Sequence, residues 1–191
     1  MSFWSTNNVE PKRNFRFLVQ FTGLVDIEPE GLGAEDVLWW AKTVTTPSFD
    51  VSEVTHDFLD NKYYYPGRVT WNEVSMTLVD PVSPDAVGQT NALLEAMGYK
   101  VPDNVNTLGT ITKTTNINTG ATALGDVVIS VLDANGNPLE TWTLQNPFIK
   151  SAKYGDLDYS SDELRTITLG IRYDWATCDI KGVDKTQFKL Q

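Results

Sequence analysis

The chain has 191 residues, 41% hydrophobic and 21% charged, and its 15 lysines and arginines stand against 25 aspartates and glutamates for a formal charge of −10. Such a length suits one domain, 1–191, with a sizeable core, the composition is globular, and no apolar run approaches the roughly 18 residues of a membrane span. The acidic balance excludes an extended surface attractive to nucleic acid, the lone His56 excludes a multi-histidine metal site, and the lone Cys178 excludes an internal disulfide.

The N-terminal stretch MSFWSTNNVEPKRNF has no apolar run behind a basic start, so no secretory signal is expected. Residues 12–22 alternate Phe15, Phe17, Val19 and Phe21 with Asn14, Arg16, Leu18 and Gln20, which predicts a strand. Residues 23–35 hold Pro29, Gly31 and Gly33 among acids and read as a loop or insertion. A strand follows over 36–45 with Val37, Trp39, Ala41 and Thr43 on one face, and the pair Trp39-Trp40 places one indole on each side.

Residues 42–81 break at Thr46-Pro47 and then send out two extended runs, 48–59 and 62–65, joined by a turn at Asp60-Asn61. Pro66-Gly67 is expected to end this hairpin, because proline removes a ladder donor and glycine permits a reversed backbone. The next strand begins at Val69-Thr70-Trp71 and shows its core side at Val74, Met76 and Leu78, with Ser75 and Thr77 between. Val69 and Trp71 have the opposite parity, which calls for a bulge near Asn72-Glu73 or a second buried surface; the second is favoured.

Ser83-Pro84-Asp85 reads as a helix start, with Ser83 as cap, Ala86, Val87, Leu93, Leu94 and Met97 as the apolar stripe and Gly98 as the stop. Residues 99–125, rich in Thr, Asn and Gly, read either as a solvated loop or as a variable surface loop or inter-subunit arm, with an extended piece at 110–114. Strands at 126–133 and 138–144 flank Ala134-Asn135-Gly136-Asn137, a tight-turn sequence. Pro147-Phe148-Ile149 leads into a polar loop over 150–162. The final strand, 165–175, puts Arg165, Ile167, Leu169, Ile171, Tyr173 and Trp175 on one side and Thr166, Thr168, Gly170, Arg172 and Asp174 on the other, and a polar tail, 176–191, follows. Seven or eight strands with one helix predict a mainly β fold: an antiparallel β-sandwich or open barrel with one flanking helix and a long protruding hairpin.

No catalytic, cofactor or metal constellation emerges. His56 reads as an exposed strand residue. The acids Asp156, Asp158, Asp162 and Glu163 lack the EF-hand spacing, and nothing in the sequence sets a carboxylate separation for glycoside hydrolysis. Glycines are dispersed, with no phosphate loop. Cys178 reads as a small residue near the end of the last strand. Tyr63, Tyr64 and Tyr65 suit packing at a subunit contact, with a sugar-stacking platform as the other reading.

The Thr45-Thr46-Pro47-Ser48 turn, the hairpin ending YYYPGR at 63–68, the run TWNEVSMTLVD at 70–80 and the closing strand LGIRYDW at 169–175 together resemble the tail tube proteins of contractile-tailed bacteriophages. The resemblance covers about two-thirds of the chain. It implies a non-enzymatic virion protein, assembled in the host cytoplasm, that forms hexameric rings stacked into a tube within a tail sheath. Baseplate and tail terminator proteins are the implied partners at the tube's ends, and double-stranded DNA is an unbound cargo that passes through the lumen on ejection. On this reading Phe49, Val51, Val54, His56, Phe58, Leu59, Tyr63, Tyr64 and Tyr65 are candidate subunit-interface residues. Ser75, Thr77, Thr166, Thr168 and Gly170 are candidate lumen residues, with Arg172 the exception among them, and the lumen is expected to be net negative. Residues 23–35, 99–125 and the tail depart from the family's core, which leaves open a baseplate-proximal tube protein or the tube of a related injection or secretion system. A carbohydrate-binding β-sandwich is the alternative of another class.

Overall fold

The computed structural model describes residues 11–22, 41–82, 85–99 and 124–182. Their elements in chain order are β1 (Phe17–Phe21), β2 (Ala41–Val44), β3 (Phe49–Phe58), β4 (Asn61–Trp71), β5 (Val74–Val79), α1 (Ala86–Ala96), β6 (Val127–Leu132), β7 (Pro138–Gln145), β8 (Phe148–Lys153), β9 (Thr166–Arg172) and β10 (Trp175–Ile180). They form two open four-stranded antiparallel sheets, β1-β6-β7-β10 and β2-β5-β9-β8, and a separate β3-β4 ribbon. The fold is thus the expected antiparallel sandwich with one helix.

The core lies where the strand alternation places it. Val19, Phe21, Val127, Ile129, Leu144 and Ala176 face inward from the first sheet, and Val74, Met76, Leu78, Ile167, Leu169 and Ile171 from the second. Removing that apolar area from water is the main drive for the sheets to pack. Helix α1 adds Ala86, Leu93 and Met97 to the same cluster. Its cap is Asp85, whose side chain accepts from the Val87 N–H at 3.0 Å; the expected cap, Ser83, lies outside the described residues. Gly98, at φ 100°, ends the helix as expected, with its N–H on the Glu95 carbonyl and that of Tyr99 on the Leu94 carbonyl.

Several expectations are corrected. Strand β1 starts at Phe17, leaving Phe15 74% exposed and off the core face. The hairpin turn is Leu59-Asp60, one residue earlier than expected, with Leu59 at φ 53°. Pro66-Gly67 does not end the ribbon, because β4 runs through it to Trp71 by means of a bulge. Val69 stays exposed and meets no second buried surface among the described residues, and the parity change falls at Asn72-Glu73 because β4 and β5 belong to different sheets. Residues 150–153, read as loop, continue strand β8, and residues 176–180, read as tail, lie in β10 with Ala176 and Cys178 buried. Trp175 opens β10, 36% exposed, and does not close the core face of β9. The Asn135-Gly136 pair lies in a five-residue loop, not a tight two-residue turn: Gly136 takes φ 83°, and the Asp133 carboxylate accepts from the Asn135 and Asn137 N–H groups. Residues 23–35, the Trp39-Trp40 pair, residues 100–123 and residues 183–191 lie outside the described residues.

Candidate assembly surface

Two surfaces gather the residues singled out from sequence. The first is the β3-β4 ribbon, whose residues are all exposed except the half-buried Trp71. Ten residues of β3 extend about 33 Å at strand rise. Among the described residues the ribbon is anchored at its base. There Trp71 packs edge-on against Phe49 at 5.3 Å and tilts against Tyr173 of the body at 6.0 Å, while Asn72 donates from its side chain to Ser48 and Asp50.

The register decides which side chains share a face. Phe49 pairs with Trp71 and Val51 with Val69; beyond a shift, Glu53 pairs with Pro66, Val54 with Tyr65, Thr55 with Tyr64, His56 with Tyr63 and Asp57 with Lys62. Gly67 and Arg68 together oppose Ser52, which is a β-bulge. The Ser52 hydroxyl accepts from the Arg68 N–H at 2.8 Å. A Cβ on Gly67 would run into that hydroxyl and come within 2.9 Å of the Ser52 carbonyl oxygen, so glycine is required by close approach. Since side chains alternate strictly, Tyr63 and Tyr65 share one face while Tyr64 lies on the other. The tyrosine run therefore builds no three-ring sugar platform.

The second surface is the outward face of β2-β5-β9-β8. Thr77 lies beside Thr168 with their hydroxyl oxygens 3.4 Å apart, Thr43 flanks Thr77, Ser75 pairs with Gly170, and Val79 pairs with Thr166. Thr45 closes the row, its hydroxyl accepting from the Ser75 N–H at 2.8 Å. The five candidate lumen residues are therefore one contiguous patch. The structure adds Ser151, opposite Gly170, and an ion pair that sequence reading missed: Lys150 reaches Glu73 at 2.6 Å. A Cβ on Gly170 would meet both Glu73 and Ser151, so this glycine makes room for the pair to lie across β9. Lys153, beside Thr168, and Arg172, next along β9, bring further cations to this face, so these residues do not supply the expected net negative charge.

Asp133, Glu140, Asp158 and Cys178, outside these two surfaces, serve local structure. Hydrogen bonds from the Asn137 side chain and backbone lead the causes that hold the Asp133 carboxyl below its usual range. Burial opposes ionisation of Glu140, but hydrogen bonds from Lys12 and Trp142 outweigh it and lower its pKa. Burial pushes the Cys178 thiol up, with Glu140 and Asp179 acting in the same sense, so this cysteine stays protonated and unreactive near neutrality. Asp158 turns its carboxylate onto the N–H and hydroxyl of Ser160 within its own loop, and no metal-holding cluster occurs among the described residues.

No family model matches the sequence, and no curated protein matches it either. Solved structures do share the fold. A chain of the anti-feeding prophage baseplate matches with TM-score 0.63 at 17% identity, over 92% of this chain and 99% of that one. A chain of the tube-terminating cap of the same prophage matches at 0.59 and 14%, over 94% and 99%. A chain of the PVC sheath-tube complex, from an extracellular contractile injection system in its extended state, matches at 0.58 and 16%, over 94% and 99%. This chain therefore has the fold of chains in the anti-feeding prophage baseplate and tube-terminating cap and in the sheath-tube complex of an extracellular contractile injection system.

Proposed function

We propose that the protein is a structural, non-enzymatic tube subunit of a contractile tail, most simply the tail tube protein of a bacteriophage, forming stacked hexameric rings. The observation that carries this reading is the ribbon: a two-stranded hairpin is at best marginally stable in water, yet here one projects from the body with Val54, Phe58, Leu59, Tyr63 and Tyr65 exposed. Such a ribbon gains its stabilisation by burying that apolar area against another subunit. Among the described residues β2 and β8 edge the hydroxyl-faced sheet, and joining these edges between neighbouring copies turns the hydroxyl face into a lumen wall. On this reading the sheath surrounds the tube, baseplate and terminator proteins cap it, the assembly resides in the virion, and DNA is cargo. Specialisation as a baseplate-proximal tube protein, or as the tube of an injection or secretion device, keeps the same surfaces.

Negative-stain microscopy of the purified chain is expected to show rings or tubes of uniform width. Deleting residues 54–61, at the ribbon tip, should leave a folded subunit that no longer forms them. Normal polymerisation of the deletion variant would overturn the assignment.

A further inference from the structure

The bulge at Ser52, Gly67 and Arg68 does more than bend the ribbon. On the base side of it the apolar pairs Phe49–Trp71 and Val51–Val69 share one face, the one that Trp71 turns toward Tyr173 of the body. The extra residue on β4 reverses the parity of that strand relative to its sequence. In the outer half, Val54, His56 and Phe58 of β3 therefore share the opposite face with Tyr63 and Tyr65 of β4. The side left behind carries Glu53, Thr55, Asp57 and Lys62, with Tyr64 and Pro66 among them, and its Asp57–Lys62 ion pair spans 3.9 Å. One ribbon thus presents its apolar side chains on the Trp71 face at its base and on the reverse face at its tip.

We infer that the outer half of the ribbon docks on a second copy of this chain through one face only, that of Val54, Phe58, Tyr63 and Tyr65, and keeps the Tyr64 face in water. This rests on the assembly reading above and refines it. Those four residues are 46–60% exposed. With aromatic side chains burying 150–250 Å² when fully covered, the patch offers on the order of 400 Å². That is about half of the roughly 800 Å² per partner that a stable pair requires. A single such contact does not hold a dimer. A repeating arrangement in which every copy both inserts its own ribbon and receives a neighbour's doubles the area each subunit buries, and head-to-tail contacts of that kind generate rings or filaments. A second copy is thus the occupant that the area favours. His56 lies within the docked face, and its charged neighbours Asp57 and Lys62 lie on the other.

The test compares two variants on opposite faces of the same ribbon segment. The first replaces a cross-strand pair on the docked face, Val54→Ser with Tyr65→Ser; the second, Tyr64→Ser, changes the other face. Both sites lie outside the core, and a thermal midpoint matching the parent checks that each variant folds. The double variant is expected to raise the protein concentration needed for assembly, read by pelleting, at least about tenfold, equal to about 1.4 kcal/mol per contact. Tyr64→Ser should stay within about twofold of the parent. Unassembled subunits are expected to sediment as monomers at micromolar concentration. Equal defects from the two faces, or a stable dimer through the ribbon, would overturn the one-face assignment. Equal defects combined with loss of assembly on deleting 54–61 would leave the assembly reading standing, whereas normal assembly by the deletion variant would remove both.

Discussion

Asp133 illustrates how a single carboxylate organises its neighbourhood. It accepts from the backbone of Asn135 and Asn137 and from the Asn137 side chain, and Lys181 lies 3.8 Å away. These contacts exist only in the folded chain and lower its pKa, so the stability they contribute is present above the ordinary carboxylate range and is lost as pH falls through the lowered value. Asp133→Ala should therefore melt below the parent at pH 7, and the gap should close well below about pH 4, the ordinary value for aspartate. A gap unchanged at pH 2 would assign the effect to something other than the ionised side chain. The Asn135-Gly136 pair announced this turn from sequence, but not the carboxylate that holds it, because an aspartate next to a turn has many possible partners until the loop length is known. Leu59 was legible as the last residue before the turn and as a candidate interface residue, not as part of the turn itself. Its left-handed backbone follows from where the ribbon register places the turn.

Among the elements, β9 was the most legible, since its alternation runs unbroken from Thr166 to Arg172. Leu169 is fully enclosed between neighbours on β5 and β8, so Leu169→Ala should cost about 2–5 kcal/mol in denaturant unfolding of the unassembled subunit. A loss below about 1 kcal/mol would show that the strand does not face the core. Strands β8 and β10 were missed for different reasons. Strand β8 is a sheet edge, and the polar residues Lys150, Ser151 and Lys153 that keep such an edge soluble also make it read as loop. Strand β10 is short and buries only the small Ala176 and Cys178, too weak a pattern to stand apart from a polar tail. The ribbon was recognised as extended, yet the continuation of β4 through Pro66-Gly67 was hidden, because the same dipeptide ends a strand in one context and forms a bulge in another.

For the assembled particle, the proposed lumen wall is lined by hydroxyls, with the Glu73–Lys150 pair across Gly170 and Lys153 and Arg172 beside it. A conduit that releases DNA must hold few unpaired cations, since each neutralised phosphate adds affinity through counterion release. The chain's formal charge of −10 outweighs Lys153 and Arg172 over the whole tube, so assembled tubes are expected to show no retention of double-stranded DNA in a sedimentation assay at low salt, where screening is weakest. Retention there that fades as salt rises would refute passage without binding. Loss of that retention in a Lys153→Glu, Arg172→Glu variant would trace it to this face.

Sequence alone settled the mainly β class, the inward sides of β5 and β9, the helix stop at Gly98 and the existence of a polar-aromatic hairpin, because period-two alternation and glycine chemistry are local properties of the chain. The tertiary structure decided what depends on register between distant segments. It gathered Ser75, Thr77, Thr166, Thr168 and Gly170 into one face, laid Glu73 against Lys150 across it, and set Val54 and His56 on the face of Tyr65 and Tyr63. A shift of one residue in pairing moves every side chain of a strand to the other face, and the extra residue at Gly67-Arg68 that sets this ribbon's faces is visible only once the partner strand is in place.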